Sequence, residues 1–144
     1  MKAIKVAREH LAGIARLEEL CFSEPWSEKA LELLLSDTAL GLVCLNDQGV
    51  PVSYVGMLTV LDEGQITNVA THPAYRRQGL ASTLLRALVA EARARDLKAL
   101  SLEVRESNLA AVRLYEGHGF SVVGRRRSFY KDPREDALVM ICNL

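Results

Sequence analysis

The sequence predicts an α/β fold of the α+β kind, one domain over residues 1–144, in which a mixed central sheet is flanked by helices. Three observations lead there. Apolar residues alternate in some stretches (Leu100, Leu102, Val104) and recur at helical spacing in others (Leu80, Leu84, Leu85, Leu88). Turn-forming clusters such as Asn46-Asp47-Gln48-Gly49 and Asp62-Glu63-Gly64 separate them at short intervals. The two patterns follow one another as β-α-α-β-β-β-α-β-α-β-β, with no repeat, linker or low-complexity segment.

In chain order, Lys2 to Val6 reads as a short first strand, and Arg8 to Phe22 as a helix whose apolar positions are Leu11, Ile14, Ala15, Leu17, Leu20 and Cys21. Ser23-Glu24-Pro25-Trp26 breaks it, and Ser27 is a competent N-cap for a second helix over Glu28 to Leu35. Leu40 to Leu45 and Pro51 to Leu61 form a hairpin around Asn46 to Gly49. Gln65 to Thr71 is a strand stopped by Pro73, and a helix runs from Gly79 to Arg95. Ala99 to Arg105 alternates, with Ser101, Glu103 and Arg105 on one face. A last helix starts near Ser107 or Asn108 and ends at Gly117-His118-Gly119, where Gly119 suits a left-handed cap. Phe120 to Tyr130 and Ala137 to Asn143 close the chain as a hairpin around Lys131 to Asp136.

Composition narrows the function classes. A chain of 144 residues with 49% hydrophobic and 25% charged residues can bury a core without disulfides or metals. No apolar run approaches the roughly 20 residues of a membrane span, and Met1 to Lys5 lacks the apolar core of a leader, so a cytoplasmic location with no membrane partner is expected. Cys21, Cys44 and Cys142 are far apart among apolar neighbours and read as buried, reduced thiols. With no CxxC or HxxxH spacing, no metal site is expected. Net charge is zero but uneven: residues 1–62 carry 5 basic and 9 acidic side chains, residues 63–144 carry 13 and 9. Positive charge in the second half suits an anionic small molecule, while a neutral total argues against nucleic-acid binding.

The stretch Val69 to Ser82 holds the strongest chemical signal. A strand stops, the basic turn Arg76-Arg77-Gln78 follows, and Gly79 opens a helix. The first amides of a helix lack intrahelical partners and sit at the positive end of its dipole, so this is either an anion cradle or an ordinary surface turn with an arginine pair. It is not a P-loop, since no Lys-Ser or Lys-Thr follows the Gly, and it is not the GxGxxG of a dinucleotide fingerprint. Glu103 interrupts an apolar strand, so its carboxylate either reaches a cavity, where desolvation would make it a base near neutral pH, or lies on a solvated outer face. Asn108 and Tyr115 lie about 700° apart on a helix and face the same way, so Tyr115 is either a proton donor beside the cradle or core. Trp26 either lines an entrance or plugs the helix break. Arg125-Arg126-Arg127 reads as a solvated edge.

Taken together these residues resemble the GNAT superfamily of N-acetyltransferases, whose acyl-CoA signature [Arg/Gln]-x-x-Gly-x-[Gly/Ala] is matched by Arg76-Arg77-Gln78-Gly79-Leu80-Ala81. The further matches Leu102 to Asn108, Ala110-Ala111, Leu114-Tyr115-Glu116, Gly119-Phe120, Arg134 to Ala137 and Pro25-Trp26-Ser27 are similar to its RimI family of ribosomal-protein-alanine N-acetyltransferases. The resemblance covers essentially the whole chain. It implies a GNAT-type, mostly antiparallel sheet and acetyl-CoA as cosubstrate without a metal. It also implies direct transfer to a protein N-terminus, in the family the N-terminal alanine of small ribosomal subunit protein number eighteen; a monomer is expected. It assigns Val69, Ala70 and Thr71 to the pantetheine arm, Arg77, Gln78, Gly79, Leu80, Ala81 and Ser82 to the pyrophosphate, Asn108 to a further CoA contact, Glu103 to the base and Tyr115 to the acid. By analogy the acceptor enters between the Phe22 to Ser27 loop and the closing hairpin near Tyr130. The alternatives are acetylation of another N-terminus, a lysine or a small amine, or a non-catalytic acyl-CoA sensor.

Overall fold

The computed structural model describes all 144 residues. The strands β1 (Ile4–Lys5), β2 (Ala39–Leu45), β3 (Pro51–Val60), β4 (Glu63–Thr71), β5 (Ala99–Arg105), β6 (Ser121–Lys131) and β7 (Arg134–Asn143) form one sheet in the order β1-β2-β3-β4-β5-β7-β6. Every neighbouring pair is antiparallel except β4 and β5, so the sheet is mixed and mostly antiparallel, as expected. The helices are α1 (Leu11–Cys21), α2 (Glu28–Leu31), α3 (Leu80–Ala94) and α4 (Leu109–Glu116). The parallel pair needs a crossover, and α3 supplies it. No helix is long and apolar enough to cross a membrane.

The strands' alternation splits the core between the two faces of the sheet. On one face Leu80, Leu84, Leu85 and Leu88 of α3 pack on Leu40, Leu42, Leu100 and Leu102. On the other, Leu11, Ile14 and Leu17 of α1 pack with Leu31 and Leu34 on Val43, Tyr54 and Ala70. Burying one such leucine contributes about 1.5–3 kcal/mol, so these two stripes anchor the helices.

The feature that makes a cleft is the parting of β4 from β5. They pair only over Glu63–Gln65 with Ala99–Ser101 and then diverge. At the same level the β3–β4 register shifts, Gly56 facing Asn68 and Met57 facing Ile66, which leaves Thr67 as an extra residue. Such a bulge bends its strand and sharpens its twist. Gly56 accommodates it, because a Cβ there would lie 2.5 Å from Thr67 Oγ1 and 3.0 Å from Leu34.

Several boundaries differ from the sequence expectation. The first strand shrinks to Ile4–Lys5, and Arg8–His10 is a 3-10 turn ahead of α1. Ser27 does cap α2, accepting from the Ala30 amide at 3.1 Å, but the helix tightens into a 3-10 turn over Glu32–Leu35. Glu63 and Gly64 belong to β4 rather than to the turn, which is made instead at Leu61, in the left-handed region at φ 56°. The closing hairpin leaves only Asp132 and Pro133 between its strands. On α1, Leu20 is 56% exposed and Glu18 fully buried. Leu20 is about 900° of rotation from Leu11, the opposite side, whereas Glu18 at about 700° shares its stripe.

Candidate active site

The end of β4, the basic turn and the start of α3 form one wall of a cleft of about 690 Å³, and α4 forms the other. Of the residues expected to hold a cofactor, Val69, Ala70, Thr71, Arg77, Gly79, Leu80, Ala81, Ser82 and Asn108 all line it. Gln78 does not: it is exposed and absent from the walls, which leaves only its main chain to take part. Gly79 is the N-cap of α3 at φ 77° and has no side-chain cap, and Arg77 is also left-handed at φ 64°. None of the main-chain amides from Arg76 to Ser82 donates to a protein oxygen. Left-handed residues ahead of an uncapped helix turn such amides toward one point, the arrangement that receives an anion. Thr83 and its hydroxyl bond the Gly79 carbonyl at 3.0 Å and fix that turn.

A second cavity of about 220 Å³ lies where β4 and β5 have parted, lined by Ile66 to Val69 and by Leu102 to Arg105. Cys21, Phe22, Val69, Asn108, Ala111 and Tyr115 border both cavities, so the two meet at this ring of side chains. Glu103 and Tyr115 both line the second cavity.

Glu103 reaches the cavity without the desolvation that its place on an apolar strand suggests. Its side chain is 31% exposed, and Oε1 lies 3.4 Å from Nε of Arg126. The parting of the strands opens this face to water, and an edge-strand guanidinium stands beside the carboxylate. Arg126 is therefore not merely a solvated edge residue. Its neighbour Arg125 contacts both Glu106 and Asp136.

Tyr115 is 7% exposed and packs against Phe120 with ring centroids 5.9 Å apart. Its hydroxyl has no protein hydrogen-bond partner, and no sealed polar side-chain atom lacks one, so the oxygen is open to the cavities. Burial, and then the nearby Tyr130, push the phenol pKa above its ordinary value, which keeps it a proton donor. Asn108 is exposed and caps α4, Oδ1 accepting from the Ala111 amide at 3.2 Å.

The far wall of the second cavity is Tyr130, stacked under the Arg105 guanidinium at 4.3 Å from its centroid. Burial pushes the Tyr130 phenol up to about 12 against the pull of that cation. Arg105 is held by the Pro133 carbonyl at 2.9 Å and Glu135 at 3.0 Å. Bonds from Ser107 and Arg105 hold the Glu135 carboxyl below the usual range. The Ser23 hydroxyl donates to the Asp132 carbonyl, so the loop after α1 touches the closing hairpin.

Trp26 lines neither cavity. It packs against the α1–α2 core cluster, which favours the plug over the entrance. Cys44 and Cys142 are buried, but Cys21 is half-buried at the cleft, 3.4 Å from the Thr71 carbonyl, because it ends α1 beside β4. Tyr75, Leu114 and Cys21 are lining residues that sequence reasoning missed. A signal for Leu114 existed, since it adjoins Tyr115.

A family model described as the acetyltransferase (GNAT) family matches residues 11–120. The chain is 39% identical over 132 residues to the [ribosomal protein bS18]-alanine N-acetyltransferase of Escherichia coli (strain K12), covering 90% of this chain and 88% of that one. It is 34% identical over 138 residues to the protein of the same name from Haemophilus ducreyi, covering 94% of each. Among solved structures, the ribosomal-protein-S18-alanine N-acetyltransferase from Escherichia coli superposes with a TM-score of 0.89 at 33% identity, over 99% of this chain and 92% of that one.

Proposed function

Because this chain belongs to the acetyltransferase (GNAT) family, we propose that it moves the acetyl group of acetyl-CoA directly to the α-amine of a protein N-terminus, the N-terminal alanine of a ribosomal protein. The observation that carries the reading is the meeting of two cavities at Val69, Asn108 and Tyr115. One has free amides suited to a pyrophosphate and the other holds a carboxylate. The relatives' names supply the acceptor.

In this reading the amides of Arg77 to Ser82 hold the pyrophosphate, Val69 to Thr71 pair with the pantetheine arm, and Asn108 adds a polar contact. An α-amine has a pKa of about 7.7–8.0, so at pH 7 most of it is protonated and unreactive. Glu103, directly or through a water, takes that proton, and the freed nitrogen lone pair attacks the thioester carbon. The main-chain amide near Val69 stabilises the developing oxyanion. As the C–S bond breaks, Tyr115 gives its proton to the departing thiolate, the second proton of the attacking nitrogen returns to the Tyr115 phenolate directly or through water, and Glu103 releases its proton to solvent. No covalent acetyl-enzyme forms. Phe22 and Tyr130 line this acceptor cavity of about 220 Å³, a size that suits a small first residue.

We extend the reading to a cytoplasmic monomer working without metal, membrane or nucleic acid, for which the neutral total charge is support on the last point. Two-substrate kinetics with acetyl-CoA and an Ala-initiated peptide test direct transfer. Intersecting double-reciprocal lines are expected, and parallel lines would mean a covalent intermediate.

A further inference from the structure

Glu18 is a carboxylate fully sealed from solvent, and the chemistry above does not use it. Its two oxygens accept three hydrogen bonds from three separate segments. Oε1 accepts from the Trp26 amide at 2.8 Å, and Oε2 from the Tyr54 hydroxyl at 2.6 Å and from Nδ2 of Asn68 at 2.9 Å. No cation pairs with it. Burial pushes its pKa up against these three donors, so the ionised form is costly to keep here.

What the donors belong to gives that cost a purpose. Trp26 ends the loop that starts at Phe22, which borders both cavities. Asn68 follows the bulged Thr67 on β4, lines the second cavity and precedes Val69, which borders both. Tyr54 lies on β3, in the sheet behind them. We propose that Glu18 is a positioning residue: it ties the acceptor loop, through the Trp26 amide, to the donor strand, through Asn68, and so holds the two substrate subsites in register. This rests on the functional reading above. A carboxylate suits the task because it is acceptor-only and can satisfy several donors at once. A glutamine would turn two N–H groups toward a set made of donors.

The test compares Glu18→Gln, Asn68→Ala and Tyr54→Phe. The readouts are acceptor KM, acetyl-CoA Kd by calorimetry, melting temperature and amide exchange at Trp26. Glu18→Gln and Asn68→Ala should raise acceptor KM by about tenfold to a hundredfold, the scale of a small misplacement, with acetyl-CoA Kd little changed. Their double variant should lose no more than the worse single one, since both break one link. Tyr54→Phe removes a bond to the same carboxylate without touching either subsite, so it should lower the melting temperature and leave the kinetic constants alone. Equal kinetic losses in all three variants, losses in none, or additive losses in the double variant would overturn the assignment. If the unaltered chain acetylates no peptide N-terminus, the functional reading fails separately. Exchange then decides the positioning claim: Glu18→Gln must speed exchange at the Trp26 amide, and unchanged exchange would refute it.

Discussion

Glu103 Oε1 lies 3.4 Å from Nε of Arg126, a residue of the outermost strand. The β6–β7 register is interrupted between Arg126 and Tyr130, and Ser128 within that gap is left-handed at φ 51°. The proposed base thus sits on a central, regular strand while its counterion sits on an irregular edge. The pair is 31% and 60% exposed, so water competes for both partners and an arriving ammonium can displace the guanidinium.

Glu103→Gln should therefore fold and bind acetyl-CoA as the unaltered chain does, while kcat falls by about 10² to 10⁴-fold, the usual contribution of a general base. Steady-state kinetics with calorimetric Kd values check this, and unchanged turnover at neutral pH removes Glu103 from the role. Arg126→Ala should change unfolding free energy by less than about 1 kcal/mol in urea titration, as expected of an exposed pair.

Tyr115→Phe keeps the ring and its packing on Phe120 and removes only the hydroxyl. The expected result is a fall in kcat larger than any change in acetyl-CoA Kd, whereas a pure affinity defect would mark a binding contact instead. The phenol is held above its ordinary pKa. Tyr115 therefore stays protonated through about pH 9, and kcat of the unaltered chain should show no loss there from its ionisation.

Gly79 at φ 77° has no atom within 4 Å of where a Cβ would stand. Gly79→Val should thus strain the backbone and project into the cleft without disturbing the core. Acetyl-CoA Kd should rise at least about tenfold, whereas Gly79→Asn, which tolerates the left-handed region better, should lose less. Equal affinity in the valine variant would show that the cradle is not the cofactor's seat.

Glu18 makes a pH prediction of its own. Its folded pKa is raised, so the folded state holds its proton more tightly than the unfolded chain. That contribution to stability is fully present below the ordinary carboxylate pKa and is lost as pH rises through the raised value. Urea titrations from the carboxylate range toward neutrality should show stability shifting in favour of Glu18→Gln relative to the unaltered chain. A difference independent of pH would contradict the shift.

The elements themselves were legible because each carries its own local signal. Ala99–Arg105 is bounded as its alternation indicates, Gly119 takes the left-handed conformation at φ 91°, and Ser27 and Asn108 cap the helices that follow them. The left-handed turn at Gly79 was legible for the same reason, since Gly79 and the helix it opens are contiguous. What did not show was relational. The parting of β4 from β5 depends on the registers of three strands, and no single segment records it. Glu18 was hidden by its charge: counting only apolar positions puts Leu20 on the buried stripe and skips the carboxylate that occupies it. The pairing of Arg126 with Glu103 joins residues that only the closing hairpin brings together.

Mapping the acetylation site by mass spectrometry tests the central claim most directly. The chain is incubated with acetyl-CoA and a panel of short peptides that differ in their first residue and each contain an internal lysine. One acetyl group on the α-amine of Ala-initiated peptides, with the lysines unlabelled, is the predicted result. Labelling confined to lysines, or none on any amine, would contradict it.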